Sequence, residues 1–360
     1  MKRGYRALAV LALVALVAAG CGKKPAKQGT GAGAQANSNF LACQVTDTGG
    51  IDDRSFNATA WKGMQDAKTQ LGVQVKFLES TTQNDFAPNL RTFVQQKCGL
   101  IVTVGFLLGD ATKASAAANP SLKYAIVDFA YKPSEVPNNN VLGLTFSTDQ
   151  AAFLAGYVAA SMSKSGKLGT FGGIKIPTVT IFMDGFWAGI KYYNKQKNAN
   201  VQLLGWNAAK QNGLFTGDFT NQDNGKRVTE TLLGEGADII LPVAGPVGLG
   251  AAAAVKAAGA GKHMIWVDTD GCVSASQYCS LFLTSIEKHM DVAVETAIKS
   301  AVDKQFKGGT YSGTLQNDGV GIAPFHDFDS QVPQNVKDEL NTIKQGIVNG
   351  SISVKPQDYQ

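Results

Sequence analysis

The chain has 360 residues, and 33 Lys and Arg against 28 Asp and Glu give it a formal charge of +5. The excess is local: residues 1–39 hold Lys2, Arg3, Arg6, Lys23, Lys24 and Lys27 and no acid, and taking those six from the 33 leaves 27 basic against 28 acidic side chains, a net of −1 for residues 40–360. That balance removes the electrostatic footprint of a nucleic-acid binder, and the length suffices for two domains of ordinary size.

The first segment reads as an export signal. Lys2, Arg3 and Arg6 precede an apolar run from Ala7 to Ala19, and the run ends in Ala18-Ala19-Gly20-Cys21. A charged start, a short apolar run and a small-residue site make a signal peptide, and the run is too short to span a bilayer as a mature helix. A cysteine directly after the small residues makes a lipobox. Residues 1–20 are therefore expected to be removed and Cys21 to carry lipid, with each buried CH₂ contributing roughly 0.8 kcal/mol of membrane affinity. Residues 21–39, rich in Gly, Ala, Gln and Lys and without an aromatic before Phe40, read as a flexible tether. Its cations sit where they can touch anionic lipid.

From Leu41 short apolar runs alternate with helical periods. Strand Leu41–Thr46 leads through Asp47 and a Gly-Gly pair to helix Ala58–Leu71, strand Val73–Leu78 and helix Asp85–Lys97. Strand Leu100–Val104, a helix around Asp110–Ala118 and strands Tyr124–Val127 and Val141–Phe146 follow. A second set opens with the Ala-rich helix Gln150–Met162. It continues with strand Lys167–Phe171, helix Val179–Lys195, strand Val201–Trp206, helix Gln222–Leu233, strand Asp238–Val243, helix Leu249–Ala258 and strand His263–Val267. Strand Leu281–Ser285, helix Asp291–Phe306, strands near Thr310–Leu315 and Gly319–Pro324, and helix Val336–Val348 close the chain. Strands alternating with helices of this length make right-handed βαβ units and parallel sheets covered on both faces. Two such sets predict two doubly wound α/β lobes.

Cys43, Cys98, Cys272 and Cys279 remain after Cys21. An even number in an exported chain suggests disulfides. Of three pairings, Cys272 with Cys279 is the natural local one and leaves Cys43 with Cys98; four buried thiols are the alternative. No Cys-x-x-Cys or His-rich spacing marks a metal site, and no cofactor is expected. Gly-x-Ser-x-Gly does not occur, and the three histidines stand near no nucleophile pattern.

Ligands on doubly wound sheets bind beyond the carboxyl ends of the strands. That rule selects Asp47, Asp128, the Gly245 region, Asp268 and Asp270. Asp53, Ser55 and Asn57 suit a helix N-cap, but Phe56 among them has little local reason to be there. Phe186, between Gly185 and Gly189, either packs in the core or presents a ring beside a closely approaching backbone. Lys288 follows a strand at a helix start, where the helix dipole disfavours a cation. The loop Gly245-Pro-Val-Gly-Leu-Gly250 matches neither the dinucleotide fingerprint nor the P-loop.

These residues resemble a family. Asp47-Thr-Gly-Gly-Ile-Asp-Asp-Arg-Ser-Phe-Asn57 with Gly63, Gly185-Phe-x-Ala-Gly189, Val267-Asp-x-Asp-Gly271 and Thr284-Ser-x-x-Lys288 are similar to the motifs of the basic membrane protein lipoproteins, the substrate receptors of ABC importers, over roughly Leu41 to Pro324. The resemblance implies a type I periplasmic-binding-protein fold, two lobes joined by a three-segment hinge. One lobe would be 40–147 plus 273–324, the other 148–272 plus 325–360. It implies a purine nucleoside as ligand, stacked between Phe56 and Phe186. Asp128 and Asn57 would meet the base, and Asp47, Asp268 and Lys288 the ribose, with Gly245 offering backbone. It further implies a monomer, lipid-anchored on the extracytoplasmic face of the cell membrane, partnered by permease subunits and performing no chemistry. A receptor for a sugar or other small polar ligand is the alternative, and a secreted nucleoside-processing enzyme a more distant one. One departure stands out: many relatives carry glutamine after the second Asp of Val-Asp-x-Asp, whereas Gly271-Cys272 here opens the cysteine loop.

Overall fold

The computed structural model describes residues 37–359. The signal segment 1–20, the lipid site Cys21 and nearly all of the 21–39 tether lie outside the described residues.

In chain order the elements are β1 (Leu41–Val45), α1 (Phe56–Leu71), β2 (Gln74–Leu78), α2 (Phe86–Gln95), β3 (Leu100–Val104), α3 (Gly109–Ala118), β4 (Lys123–Val127), β5 (Val141–Phe146), α4 (Thr148–Met162), β6 (Lys167–Gly172), α5 (Pro177–Lys197) and β7 (Gln202–Leu204). There follow β8 (Trp206–Asn207), β9 (Asn212–Gly213), α6 (Gln222–Gly234), β10 (Ile239–Val243), α7 (Val247–Ala258), β11 (His263–Asp268), α8 (Gly271–Ser274), β12 (Phe282–Lys288), α9 (Met290–Val302), β13 (Gly309–Gly313), β14 (Val320–Ile322) and α10 (Gln334–Val348).

Two six-stranded sheets result, ordered β13-β5-β4-β3-β1-β2 and β14-β12-β11-β10-β6-β7. Every pairing in them is parallel except β14 on β12. Strands β3 (LIVTV) and β10 (IILPV) are buried at every position, as parallel strands covered on both faces must be. Helix ends follow local chemistry. Gly72 closes α1 in the left-handed conformation at φ 70, its N–H on the Lys68 carbonyl, and Pro177 opens α5 at a position where its missing N–H costs nothing.

The chain crosses between the lobes three times. Ser147 links β5 to α4, His289 links β12 to α9, and residues 314–319 link β13 to β14. The crossings bond to one another. The Ser147 N–H donates to the Gly313 carbonyl at 2.8 Å and the His289 N–H to the Gly319 carbonyl at 3.0 Å. A Cβ on Gly319 would lie 2.3 Å from the Gly313 Cα. This is the three-segment hinge of the type I fold.

The expected lobe division is corrected on the C-terminal side. β12 and β14, assigned to the first lobe within 273–324, belong to the second sheet, and only α9 and β13 return to the first. Residues 269–281 span the dozen or so that a parallel crossover needs, so β12 lies beside β11 and the lobe change falls at His289. The expected strand Val201–Trp206 also divides. Gly205, at φ 84 and with its Cβ position 2.0 Å from the Thr170 carbonyl oxygen, turns the chain off β7 into the β8–β9 hairpin. Both expected disulfides form: Cys43–Cys98 with Cα atoms 6.1 Å apart and Cys272–Cys279 with Cα atoms 4.4 Å apart.

Candidate functional site

Between the carboxyl ends of the two sheets lies a cleft enclosing about 580 Å³ including its mouth, within the range of small-molecule sites. Seven of the eight expected ligand residues line it: Asp47 after β1, Phe56 and Asn57 at the start of α1, Asp128 after β4, Gly245 after β10, Asp268 at the end of β11 and Lys288 at the end of β12. Asp128 and Asp268 hold φ values of 63° and 72°. This left-handed backbone is unfavourable for a residue with a Cβ and collects at ligand sites.

Lys288 joins the lobes electrically. It is 3% exposed, and its Nζ lies 2.7 Å from Asp128 Oδ2 of the first lobe and 3.2 Å from Asp268 Oδ1 of the second. Burial works against its charge, but the two carboxylates outweigh burial and hold its pKa above the usual lysine value. The ammonium also sits 4.5 Å from the ring centre of Phe56 and 5.4 Å from that of Phe182, a cation–π arrangement.

The loop before α1 is organised by Asp53. Its Oδ1 accepts the N–H groups of Ser55 at 2.9 Å and Ala58 at 3.0 Å, and its Oδ2 accepts that of Asn57 at 2.7 Å. One carboxylate thus satisfies donors that a helix start leaves orphaned. Burial nevertheless pushes its pKa up to about 7, and that of Asp47 up to about 6 against hydrogen bonds from Asn57 and the Gly49 N–H. The Asn57 Nδ2 donates to Asp47 Oδ1 at 2.7 Å and to Asp53 Oδ2 at 3.2 Å. With both amide protons so engaged, Asn57 Oδ1 is left buried without a partner.

Phe186 is the correction. It is 0% exposed and belongs to the core, and it does not line the cleft. The close backbone approach read from its flanking glycines is real, but the approaching backbone is helix α4. Cβ atoms on Gly185 and Gly189 would lie 2.3 Å from the Asp149 carbonyl and 2.0 Å from that of Phe153, and one on Gly156 would lie 2.2 Å from that of Phe186. The aromatic walls are Phe56, Phe106, Phe182 and Phe219. Phe106 follows Gly105 just after β3, so the strand-end rule applied there would have found it. Phe219 sits in an irregular loop, and its position depends on Gly173, whose Cβ would meet its ring at 2.3 Å; no local pattern signals that. Asp270 turns away from the cleft to cap the Cys272 N–H at 2.9 Å and to pair with His326 at 2.7 Å.

Two parallel-sheet lobes, a triple crossing and a cleft at the strand ends define the type I periplasmic-binding fold. A solute-binding protein of an ABC transporter from Aeropyrum pernix K1 matches with a TM-score of 0.77 and 26% identity, over 87% of this chain and 92% of that one. A carbohydrate-transporter solute-binding protein from Chloroflexus aurantiacus, in complex with D-glucose, shares the fold at a TM-score of 0.57 and 16% identity, over 80% of this chain and 93% of that one. The family model for "Bmp: ABC transporter substrate-binding protein PnrA-like" matches residues 40–358, and the chain belongs to that family. The "ABC transporter nucleoside-binding protein BmpA" of Lactococcus lactis subsp. cremoris is 29% identical over 98% of this chain and 99% of its own length. "Basic membrane protein A2" of Borrelia garinii subsp. bavariensis is 31% identical over 86% of this chain and 87% of its own. The protein is therefore an extracytoplasmic substrate-binding protein that serves an ABC permease and is not an enzyme.

Proposed function

We propose that the cleft binds a purine nucleoside and that Cys21 anchors the protein to the membrane through lipid. The observation that carries the ligand reading is the lining itself, with aromatic rings from both lobes around a set of carboxylates and one buried ammonium. Flat bases need aromatic faces, and ribose hydroxyls suit carboxylates. Phe56 of the first lobe and Phe219 of the second supply the faces, with Phe219 in the role expected of Phe186. Asp128 and Asn57 meet the base. Asp47, Asp268 and Lys288 hold the ribose, and Gly245 offers backbone. Asp128 and Asp268 meet on Lys288 from opposite lobes, so a ligand bridging them favours the closed arrangement, as hinge closure requires.

A thermal-shift screen of the protein against nucleosides, pentoses, hexoses and amino acids tests this reading. Stabilisation by guanosine or adenosine with none by free sugars is expected, and the reverse pattern overturns it. Labelled palmitate incorporated by the wild type and lost in Cys21→Ala tests the anchor.

A further inference from the structure

The segment joining β11 to β12 contributes little to the cleft wall, yet it reaches across to the other lobe. It consists of α8 and a 3₁₀ turn, Ser276–Leu281, closed by Cys272–Cys279. Its base is fixed to the second lobe. Asp270 caps the Cys272 N–H and pairs with His326, and the Gly271 N–H donates to Ser285 Oγ at 3.0 Å. Its tip faces the first lobe, where Arg54 Nη1 donates to the Ser274 carbonyl at 3.4 Å and to Gln277 Oε1 at 3.5 Å.

Arg54 lies between residues that shape the cleft. Asp53 before it caps α1, and Ser55 after it donates through Oγ to Asp268 Oδ2 at 2.8 Å and to the Val267 carbonyl at 3.1 Å. Arg54 holds φ 57, and its carbonyl accepts the Trp266 Nε1–H at 3.4 Å. The side chain is exposed and outside the cleft lining. Its contacts therefore bear on the position of residues 53–57 and not on the ligand.

We propose that Arg54 and the disulfide-closed loop form a latch between the lobes. Arg54 is a positioning residue that holds Asp53, Phe56 and Asn57 in binding geometry, and Cys272–Cys279 fixes in advance the acceptors that Arg54 meets. A short cross-link of sequence separation 7 limits the freedom of residues 273–278, and such pre-ordering lowers the cost of each closure. The latch rests on the nucleoside reading only for its ligand probe.

The test compares the protein with Arg54→Ala, with Cys272→Ser/Cys279→Ser and with the triple variant. Hydrogen exchange of the Ser55, Asn57 and Ala58 amides, all bound by Asp53, is followed without ligand, and guanosine dissociation is followed by stopped flow. Each variant is expected to exchange these amides faster and to release guanosine about three- to tenfold faster, the loss of about one hydrogen bond. The triple variant is expected to be no faster than either parent, because the changes act through one contact. Unchanged exchange at the three amides, or effects that multiply in the triple variant, overturns the latch. If the wild type binds no guanosine, the nucleoside reading fails while the exchange arm still decides the latch. If the serine variant does not fold, Gln277→Ala replaces it under the same expectation.

Discussion

Two segments of this chain look alike, but their glycines admit different neighbours. Residues 47–57 and 182–189 each combine phenylalanine, aspartate and two glycines near a helix. In the first, the glycine turn follows a strand end and delivers Phe56 and Asn57 to the cleft. In the second, the glycines lie inside α5 and admit the backbone of α4, so that Phe186 is sealed in the core. A glycine beside an aromatic reports that something comes close. Whether that neighbour is a ligand or another helix depends on where in the topology the glycine stands.

The sharpest way to break this comparison is Phe186→Ala. It is expected to cost about 3–5 kcal/mol of stability through the cavity it leaves, read as a lowered urea midpoint, while the folded fraction keeps its guanosine affinity. Weakened binding at unchanged stability would return Phe186 to the site. Gly189→Ala is expected to cost about 1–3 kcal/mol by overpacking the helix pair, again with affinity unchanged by calorimetry. Phe56→Ala should act mainly on binding. Loss of one stacking face weakens guanosine binding by about 1–3 kcal/mol, while the urea midpoint falls less than in Phe186→Ala because the Phe56 ring is only half-buried.

The last test is electrostatic. Asp47 titrates at about 6 in the fold against an ordinary 3.8, so between these values the folded state holds more protons than the unfolded one. Its contribution to stability is fully present below about pH 4 and is lost as the pH rises through about 6. Asp53 adds a decline of the same sign reaching about 7. Urea midpoints across this range should fall with rising pH in the wild type and fall less in Asp47→Asn. An equal slope in both proteins would separate Asp47 from the buried end of the 47–57 segment.

Strand and helix order was legible in the sequence because parallel strands are apolar throughout and their helices are periodic. β3 and β5 match the expected bounds residue for residue. The first-lobe site loop and the strand-end residues Asp128 and Asp268 were legible because topology alone puts strand ends at a cleft, and Lys288 because a helix start disfavours a cation. Phe219 was not, since it depends on a hairpin and on glycines distant in sequence. Nor was the lobe membership of β12, because a thirteen-residue link from Thr269 to Leu281 serves a crossover within one sheet as well as a crossing between two.

The triple crossing has a consequence for how the molecule assembles. β5 gains its neighbour β13 only when residues 309–313 exist, and α4 meets α10 only when residues 334–348 do. Neither lobe is a continuous stretch of chain, so neither completes its sheet and helix layers until almost the whole sequence is available. Non-local closure of this kind slows folding and leaves sheet edges exposed meanwhile. No single cut yields a working half, and exchanging one lobe with a relative's would mean replacing several separated pieces of sequence at once.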